Sequence, residues 1–250
     1  MVDPTATDHD VRAAGRAALT RRDWPAVVAH WADADQSEFT ADDLNGLADA
    51  HMAVGPWEAA IRARTSAHVK YLDAGDQSNA AWTAMMIGIG YAVGDEIAVA
   101  GGWFATARDL LDEIDECRAH ALVPFIDYFI LLRSGDVDGA LRSAEQIAET
   151  AARVGARDLE IMGQMYAGQA RARGGDIDAG MALIDKAMVA AVSGQVGPFA
   201  FGQIVCQTLT ACQQVGDYQR AFEWLENAER ASIVQGIQMS ADCKVCLLYT

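Results

Sequence analysis

A short phrase recurs six times along this 250-residue chain: a turn residue, a large apolar residue, and a smaller residue three positions later. The large apolar members are Trp24, Trp57, Trp103, Val137, Ile177 and Tyr218. The turn residues before them are Asp23, Pro56, Gly102, Asp136, Asp176 and Asp217, and the smaller residues after them are Val27, Ala60, Thr106, Ala140, Gly180 and Ala221. The apolar members lie 33, 46, 34, 40 and 41 residues apart. A period of this length is typical of stacked helix pairs, so the phrase predicts a helical array.

Each part of the phrase has a structural role in such an array. A glycine such as Gly135 supplies the positive φ that ends one helix, and the aspartate after it, here Asp136, caps the next helix. The large residue fills the gap between paired helices, and the smaller one lets their backbones approach. The sequence therefore predicts an all-α fold, a right-handed α-solenoid of tetratricopeptide-like antiparallel helix pairs with about 12 to 13 helices. We expect residues 1–250 to form a single domain of this kind.

Two stretches depart from the regular repeat. Gly101-Gly102 interrupts a helical pattern that begins near Glu96, and a break there accounts for the 46-residue interval before Trp103. Residues 240–250 begin a further helix that is incomplete and ends on the apolar run Cys246-Leu-Leu-Tyr-Thr250. Because arrays usually end on a helix that is polar outside, this end predicts either a longer array or packing on a partner.

The charge balance limits the classes of partner. The net charge is −16, from 35 acidic and 19 basic residues. Such a surface repels a phosphate backbone, so the sequence predicts no direct nucleic-acid binding. A basic protein or peptide partner fits the charge, although an acidic balance also serves solubility alone.

The chain shows no signal for secretion or membrane insertion. The first ten residues, Met1–Asp10, are polar and acidic. The longest weakly polar stretches, Ala81–Gly94 and Ala121–Leu132, are shorter than the ~20 residues that span a bilayer. We therefore expect a soluble cytoplasmic protein with no membrane partner.

The sequence offers no catalytic group, cofactor site or metal site that we would assign. It contains no H-E-x-x-H, no G-x-S-x-G and no phosphate-binding glycine loop, so we expect a non-enzyme without a cofactor. Cys243-Lys-Val-Cys246 is a C-x-x-C pair that either holds a metal or exchanges thiols, or packs in the core. No second pair accompanies it, so core packing is the expectation. The other cysteines are likewise expected in the core rather than in disulfides.

Four runs of the chain resemble phrases of a known family. Asp43–Gly55 is similar to DLxxLAxAxxxxG and Gly102–Leu111 to GWxARARxLL, while Gly180–Met188 is similar to GxxLLDEAM and Cys212–Trp224 to CxxxGDxxRAxEW. In order and spacing they resemble the tetratricopeptide-like region of bacterial LuxR-type transcriptional regulators, which is also attached to some nucleotide cyclases. The resemblance implies a regulatory helical module that senses a ligand or docks a partner. No basic helix-turn-helix is present in the sequence, so the resemblance implies no DNA-reading residue.

The first helix of each pair holds the best candidates for binding, because those helices line the concave face of tetratricopeptide arrays. The groove candidates are Trp82, Met86, Tyr128, Gln164, Gln203 and Gln207. Core packing is the alternative for each, and the glutamines are the more telling because buried amides need partners. The sequence thus predicts a regulatory or scaffold module whose groove binds a protein, a peptide or a small effector. The alternative is an oligomerisation segment that forms a homodimer through its apolar C-terminal end.

Overall fold

The protein is all-α. A computed structural model describes residues 8–55 and 57–239; Pro56 of the recurring phrase, the predicted last helix at 240–250, Cys243 and Cys246 lie outside this range. Twelve α-helices and one 3₁₀ helix, Arg118–Leu122, occupy the described residues, which contain no strand. The α-helices are α1 Asp8–Thr20, α2 Trp24–Trp31, α3 Ala41–Val54, α4 Trp57–Asp73, α5 Gln77–Val93, α6 Ile97–Leu111, α7 Phe125–Ser134, α8 Val137–Arg153, α9 Arg157–Arg173, α10 Ile177–Val192, α11 Pro198–Val215 and α12 Tyr218–Gln235. This confirms the predicted helical solenoid.

The chain forms two compact units. Unit 1 comprises Met1–Ala119 and Gln235–Gln238, and unit 2 comprises His120–Val234 and Met239–Thr250. Within unit 1 each helix from α1 to α6 packs on the next one along the chain. Within unit 2 the helices from α7 to α11 pack in the same order, and α9 also contacts α11. The expectation of a single domain over residues 1–250 stays a prediction.

The contact between α9 and α11 defines the pairing in unit 2. In stacked helix pairs the first helix of one pair lies beside the first helix of the next. Helices α7, α9 and α11 are therefore the first members of their pairs, and we call them the inner helices of unit 2. The outer helix α12 is joined to the outer helix α10 because the indole Nε1 of Trp224 donates to Oδ1 of Asp185 at 2.8 Å.

The repeat is more regular than the sequence phrase indicated. Helix α6 runs without a break through Gly101-Gly102, so the predicted interruption is wrong. Trp103 lies inside this helix, and the true start is Ile97, with Ala100 as the small residue three positions later. From α4 onward, alternate helices begin at residues 57, 97, 137, 177 and 218, which gives intervals of 40, 40, 40 and 41. A helical glycine costs only about 1 kcal/mol relative to alanine, and the buried face of α6 outweighs that cost.

Two of the three Gly-Asp turns between paired helices form in full as the sequence predicts. In the third, Asp176 precedes α10 without a side-chain capping bond, so the predicted cap is wrong there. Gly135, Gly175 and Gly216 have φ values of 87°, 100° and 74°, in the left-handed region that favours glycine. Asp136 caps α8 by accepting a hydrogen bond from the N–H of Gly139 at 2.8 Å. Asp217 accepts the corresponding bond from the N–H of Arg220 at 3.1 Å. These bonds depend only on neighbouring residues, so the local sequence specifies them.

Two features of the packing need small or apolar residues. Gly168 of α9 faces Gly180 of α10 so closely that a Cβ on Gly180 would lie 2.5 Å from the Gly168 carbonyl oxygen. In α5, every residue from Ala80 to Gly90 is buried. A helix that is apolar on all sides belongs in the interior, and the sequence of α5 has this composition.

None of the helices in the described range is both long enough and apolar enough to cross a lipid bilayer.

Candidate functional site

The candidates of unit 1 lie in its interior. Trp82 is 6% exposed and Met86 is 1% exposed, both on the fully buried part of α5. The guanidinium carbon of Arg118 lies 3.8 Å from the centroid of the Trp82 ring, which is a close cation–π contact. Trp82 therefore packs against the α5 core and a covering arginine.

The candidates of unit 2 converge on one network. Tyr128 of α7 is fully buried, and its hydroxyl donates to Oε1 of Gln169 on α9 at 2.7 Å. The same hydroxyl lies 3.3 Å from the carbonyl oxygen of Tyr166. Because 2.7 Å is the usual length of an O–H···O bond and 3.3 Å exceeds it, the hydroxyl hydrogen belongs to Gln169.

The network continues from α9 to α11 through two further bonds. The hydroxyl of Tyr166 donates to Oε1 of Gln203 at 2.8 Å. Nε2 of Gln169 donates to Oε1 of Gln207 at 3.1 Å. The network therefore joins all three inner helices of unit 2. Tyr166 and Gln169 were not among the sequence candidates, but the three bonded pairs are separated by 41, 37 and 38 residues. These separations are close to the helix-pair period and were a usable signal.

Aromatic rings surround the buried end of the network. The Tyr128 and Tyr166 rings have centroids 4.5 Å apart, and Phe125 packs on Tyr166 at 6.0 Å. Phe129 contacts Tyr166 edge-on at 5.5 Å and is half-buried. Such ring pairs add roughly 0.5–1.5 kcal/mol each beyond the burial of their area. The cluster therefore holds the tyrosine hydroxyls in fixed positions.

Burial removes these tyrosines from acid–base chemistry. It raises the pKa of Tyr128 far above its ordinary value of 10, and a nearby Arg173 charge only partly opposes this effect. Burial likewise raises the pKa of Tyr166, with a further contribution from Tyr128. Both phenols stay protonated at physiological pH and act as hydrogen-bond donors.

The polar ends of the network reach the surface of α11. Gln203 and Gln207 are half-buried and lie four residues apart, on one side of the helix. Gly202 is also half-buried, and a Cβ added there would meet no atom within 4 Å. We call the surface formed by Gly202, Gln203 and Gln207 the amide face. Helix α11 contains no charged residue, so this face is polar and neutral.

Gln164 lies apart from the network. It is half-buried on α9, and its Nε2 donates to Oε1 of Glu160 one turn earlier at 3.2 Å. Of the six groove candidates, the structure thus brings Tyr128, Gln203 and Gln207 together. It places Gln164 in a local contact on the same helix as Tyr166 and Gln169.

The cysteines differ from one another. Cys212 is a buried free thiol whose pKa burial raises to about 12, with a contribution from Asp217. Cys206 of α11 is disulfide-bonded, so the expectation that it is a reduced core residue is wrong. Within residues 8–55 and 57–239, no three His, Cys, Asp or Glu side chains are grouped so as to hold a metal ion.

Unit 2 also has a concavity, apart from the amide face, in which an arginine is paired with carboxylates. It measures about 290 Å³, and Ile177 and Met181 of α10 form part of its wall. Arg220 lies in it and pairs with Asp185 at 3.3 Å and Asp217 at 3.1 Å. The positive charge of this arginine is therefore already balanced by two carboxylates.

Comparison with known proteins yields a structural likeness only. No family model matches the chain, and no curated protein matches it. Among solved structures, the chain is similar to BtubC (BKLC) from P. vanneervenii, with 14% identity, coverage of 94% of each chain and a TM-score of 0.47. It is also similar to the TPR2AB domain of yeast Sti1 in complex with an HSP90 peptide, with 15% identity, coverage of 90% of each chain and a TM-score of 0.34.

Proposed function

We propose that the protein is a non-enzymatic interaction module that binds a protein or peptide segment on the inner helices of unit 2. The observation that carries this proposal is the amide face. Gln203 and Gln207 are held in place by buried partners, yet within residues 8–55 and 57–239 only their oxygens are hydrogen-bonded. An amide that is fixed through its oxygen and still has free N–H donors can bind a ligand with little further loss of side-chain freedom.

The neighbouring side chains favour a peptide over a small charged effector. Phe129 offers a half-buried ring on α7, and Gly202 leaves space for a chain to approach α11. Ligand sites commonly combine apolar walls with a few placed polar groups. Because α11 is uncharged, the net charge of −16 acts by attracting a basic partner from a distance rather than by pairing with it at the site.

A peptide selection tests the proposal directly. The whole chain is immobilised, and a phage-displayed library of random peptides of about 12 residues is selected against it. Enriched peptides are then synthesised with a fluorescent label, and their affinity is measured by polarisation. We expect saturable binding that the Gly202→Leu variant weakens at least about tenfold, because the added side chain fills the open space beside the amides.

Gly101→Leu is the matched control. Gly101 also lies inside a helix and also has no atom within 4 Å of an added Cβ, but it belongs to α6 of unit 1. Peptide affinity should stay unchanged in this variant. A selection that enriches no peptide, or equal loss of affinity in both variants, contradicts the proposal.

One observation favours the alternative function of self-association. Phe222, Ile233 and Val234 of α12 are 55%, 81% and 87% exposed. Phe222 and Ile233 are eleven residues apart, which places them on the same side of the helix. If α12 pairs with a second copy, light scattering gives a dimer mass, and Ile233→Asp returns the protein to a monomer. A monomer mass at high concentration rejects this alternative.

The finer assignment, the sensor region of a LuxR-type transcriptional regulator, draws its support from the four sequence phrases. It predicts that a basic helix-turn-helix is encoded in the same reading frame as this chain. Determining the surrounding gene sequence tests it. A stop codon directly after Thr250, with no helix-turn-helix elsewhere in the frame, rejects it.

A further inference from the structure

The buried tyrosine fixes which end of the Gln203 amide faces outward. Tyr166 is fully buried, and among the described residues its hydroxyl bonds to the Gln203 amide alone. The hydroxyl hydrogen needs an acceptor, because a buried donor without a hydrogen bond is strongly unfavourable. The Gln203 amide must therefore turn Oε1 toward the tyrosine. Its Nε2, which carries two N–H donors, has no hydrogen-bond partner in the part of the chain that the structure describes.

The same logic orients Gln207 through an intermediate amide. Oε1 of Gln169 accepts from Tyr128, so Nε2 of Gln169 points to α11. That nitrogen is a donor and requires an oxygen, which Gln207 supplies. The Nε2 of Gln207 is consequently the end that makes no hydrogen bond to any residue in the described ranges. The network thus contains two series of hydrogen bonds. Each series starts at a tyrosine hydroxyl and ends in an N–H₂ group on α11.

The helical rise between Gln203 and Gln207 matches the repeat of a particular acceptor pattern. Residues four apart on a helix rise about 6 Å along its axis. In an extended chain, carbonyl groups of alternate residues point to the same side and lie about 6.5–7 Å apart. The two N–H₂ groups of the amide face can therefore reach two such carbonyls at once.

We propose that Gln203 and Gln207 bind the main-chain carbonyl oxygens of alternate residues in an extended peptide segment, which the inner helices hold along α11. This inference rests on the proposed function and specifies how the partner is recognised. It makes recognition depend on the ligand backbone more than on its side chains. The absence of charge on α11 agrees with it, since a neutral donor suits a neutral carbonyl. Gly202 leaves room for the backbone to come close.

Isosteric variants separate the outward amide group from the buried network. Gln203→Glu and Gln207→Glu keep an oxygen for the buried donor and replace the outward N–H₂ with a carboxylate oxygen. We expect each variant to fold and to lose affinity for the selected peptides by about 2- to 10-fold, the value of one hydrogen bond, or by more because the oxygen now faces a carbonyl. Gln214→Glu adds the same charge at an exposed position of α11 and should leave affinity unchanged.

Thioamide substitution in the peptide provides the reciprocal measurement. Each carbonyl oxygen of an enriched peptide is replaced in turn by sulfur, which is a weaker acceptor. Two positions, separated by one residue, should lose affinity, and those losses should disappear when the protein carries Gln203→Glu and Gln207→Glu.

The outcomes distinguish the two proposals. If peptides bind and Gly202→Leu weakens them but neither glutamate variant does, the carbonyl-binding inference is rejected while the proposed function stands. If Gln214→Glu changes affinity as much as the other two glutamate variants, charge rather than amide orientation is responsible, and the inference is again rejected. If no peptide is enriched, both proposals fail.

Discussion

The hydroxyl of Tyr128 donates to Oε1 of Gln169 across a distance of 2.7 Å, although the two residues are 41 positions apart in sequence. This bond connects two neighbouring inner helices inside a cluster of aromatic rings. It also sets the orientation of the next amide, since Gln169 passes a hydrogen bond on to Gln207. A buried side chain thereby determines what a half-exposed side chain offers to a ligand.

Removing this hydroxyl should lower stability. In Tyr128→Phe, Oε1 of Gln169 loses its donor while remaining buried, which costs about 1–3 kcal/mol in the free energy of unfolding. Urea unfolding followed by circular dichroism measures the change. Tyr218→Phe is the control, because Tyr218 is 45% exposed and its variant should fall within about 0.5 kcal/mol of the wild type. Equal stability of the two variants would show that the buried bond contributes nothing.

The contact between Gly180 and Gly168 should tolerate no added methyl group. A Cβ on Gly180 would lie 2.5 Å from a carbonyl oxygen and 2.6 Å from the amide nitrogen of Ala172, so α9 and α10 would have to separate. We expect Gly180→Ala to destabilise the protein by about 1–3 kcal/mol, the usual cost of overpacking. Thermal and urea unfolding measure it.

Gly102→Ala makes the same substitution as Gly180→Ala, but we expect it to raise stability rather than lower it. Gly102 lies in α6 with no atom within 4 Å of an added Cβ, so the variant gains helix propensity without a clash. It should be more stable by about 0.5–1 kcal/mol. If both alanine variants are more stable than the wild type, helix propensity rather than close packing governs these sites.

His68 should make stability depend on pH. Its Nδ1 lies 2.9 Å from the carbonyl oxygen of Ala80, and the residue is buried. Burial lowers the pKa of His68 below its ordinary value of 6.5, with the Ala80 bond opposing in part. The unfolded chain therefore takes up a proton that the folded chain refuses, so this contribution to stability is present above about pH 6.5 and declines as the pH falls.

Comparing urea midpoints near pH 7 and near pH 5 for the wild type and for His68→Gln isolates the effect, because the carboxylates contribute similarly to both proteins. The wild type should lose more stability than the variant across this interval. An identical loss in both proteins would exclude His68 as the source.

The Cys212 thiol should resist alkylation in the native state. Because its pKa is raised to about 12 by burial, almost no thiolate forms at neutral pH. We expect iodoacetamide to leave Cys212 unmodified in the folded protein and to label it completely in concentrated guanidinium chloride. Peptide mass spectrometry of the two digests measures this, and rapid labelling of the native protein would contradict the buried placement.

Features that depend on neighbouring residues could be predicted from the sequence, and features that join distant residues could not. The turn at Gly135-Asp136 was predictable because the positive φ and the capping bond involve residues within three positions of each other. The placement of Trp103 was predicted wrongly because its resemblance to the other tryptophans of the phrase outweighed Ile97, which has the regular spacing.

The network at the amide face shows the same limit. Tyr128, Gln203 and Gln207 were candidates because of their residue types and their place on the first helix of each pair, but the direction of each hydrogen bond depends on Tyr166 and Gln169. Only the packing of α9 between α7 and α11 brings those residues together. Trp82 and Met86 were chosen by the same reasoning and are buried, since the apolar residues of α5 extend around the whole helix.

The complete burial of α5 from Ala80 to Gly90 has a consequence for how the gene can vary. A helix with one solvent face accepts polar replacements about every third or fourth position, so a map of tolerated substitutions shows the helical period. In α5 no position has that freedom. Saturation mutagenesis of residues 80–90 should therefore show low tolerance to polar residues at every position. In α8, buried positions recur every three or four residues, so tolerance should vary with the helical period.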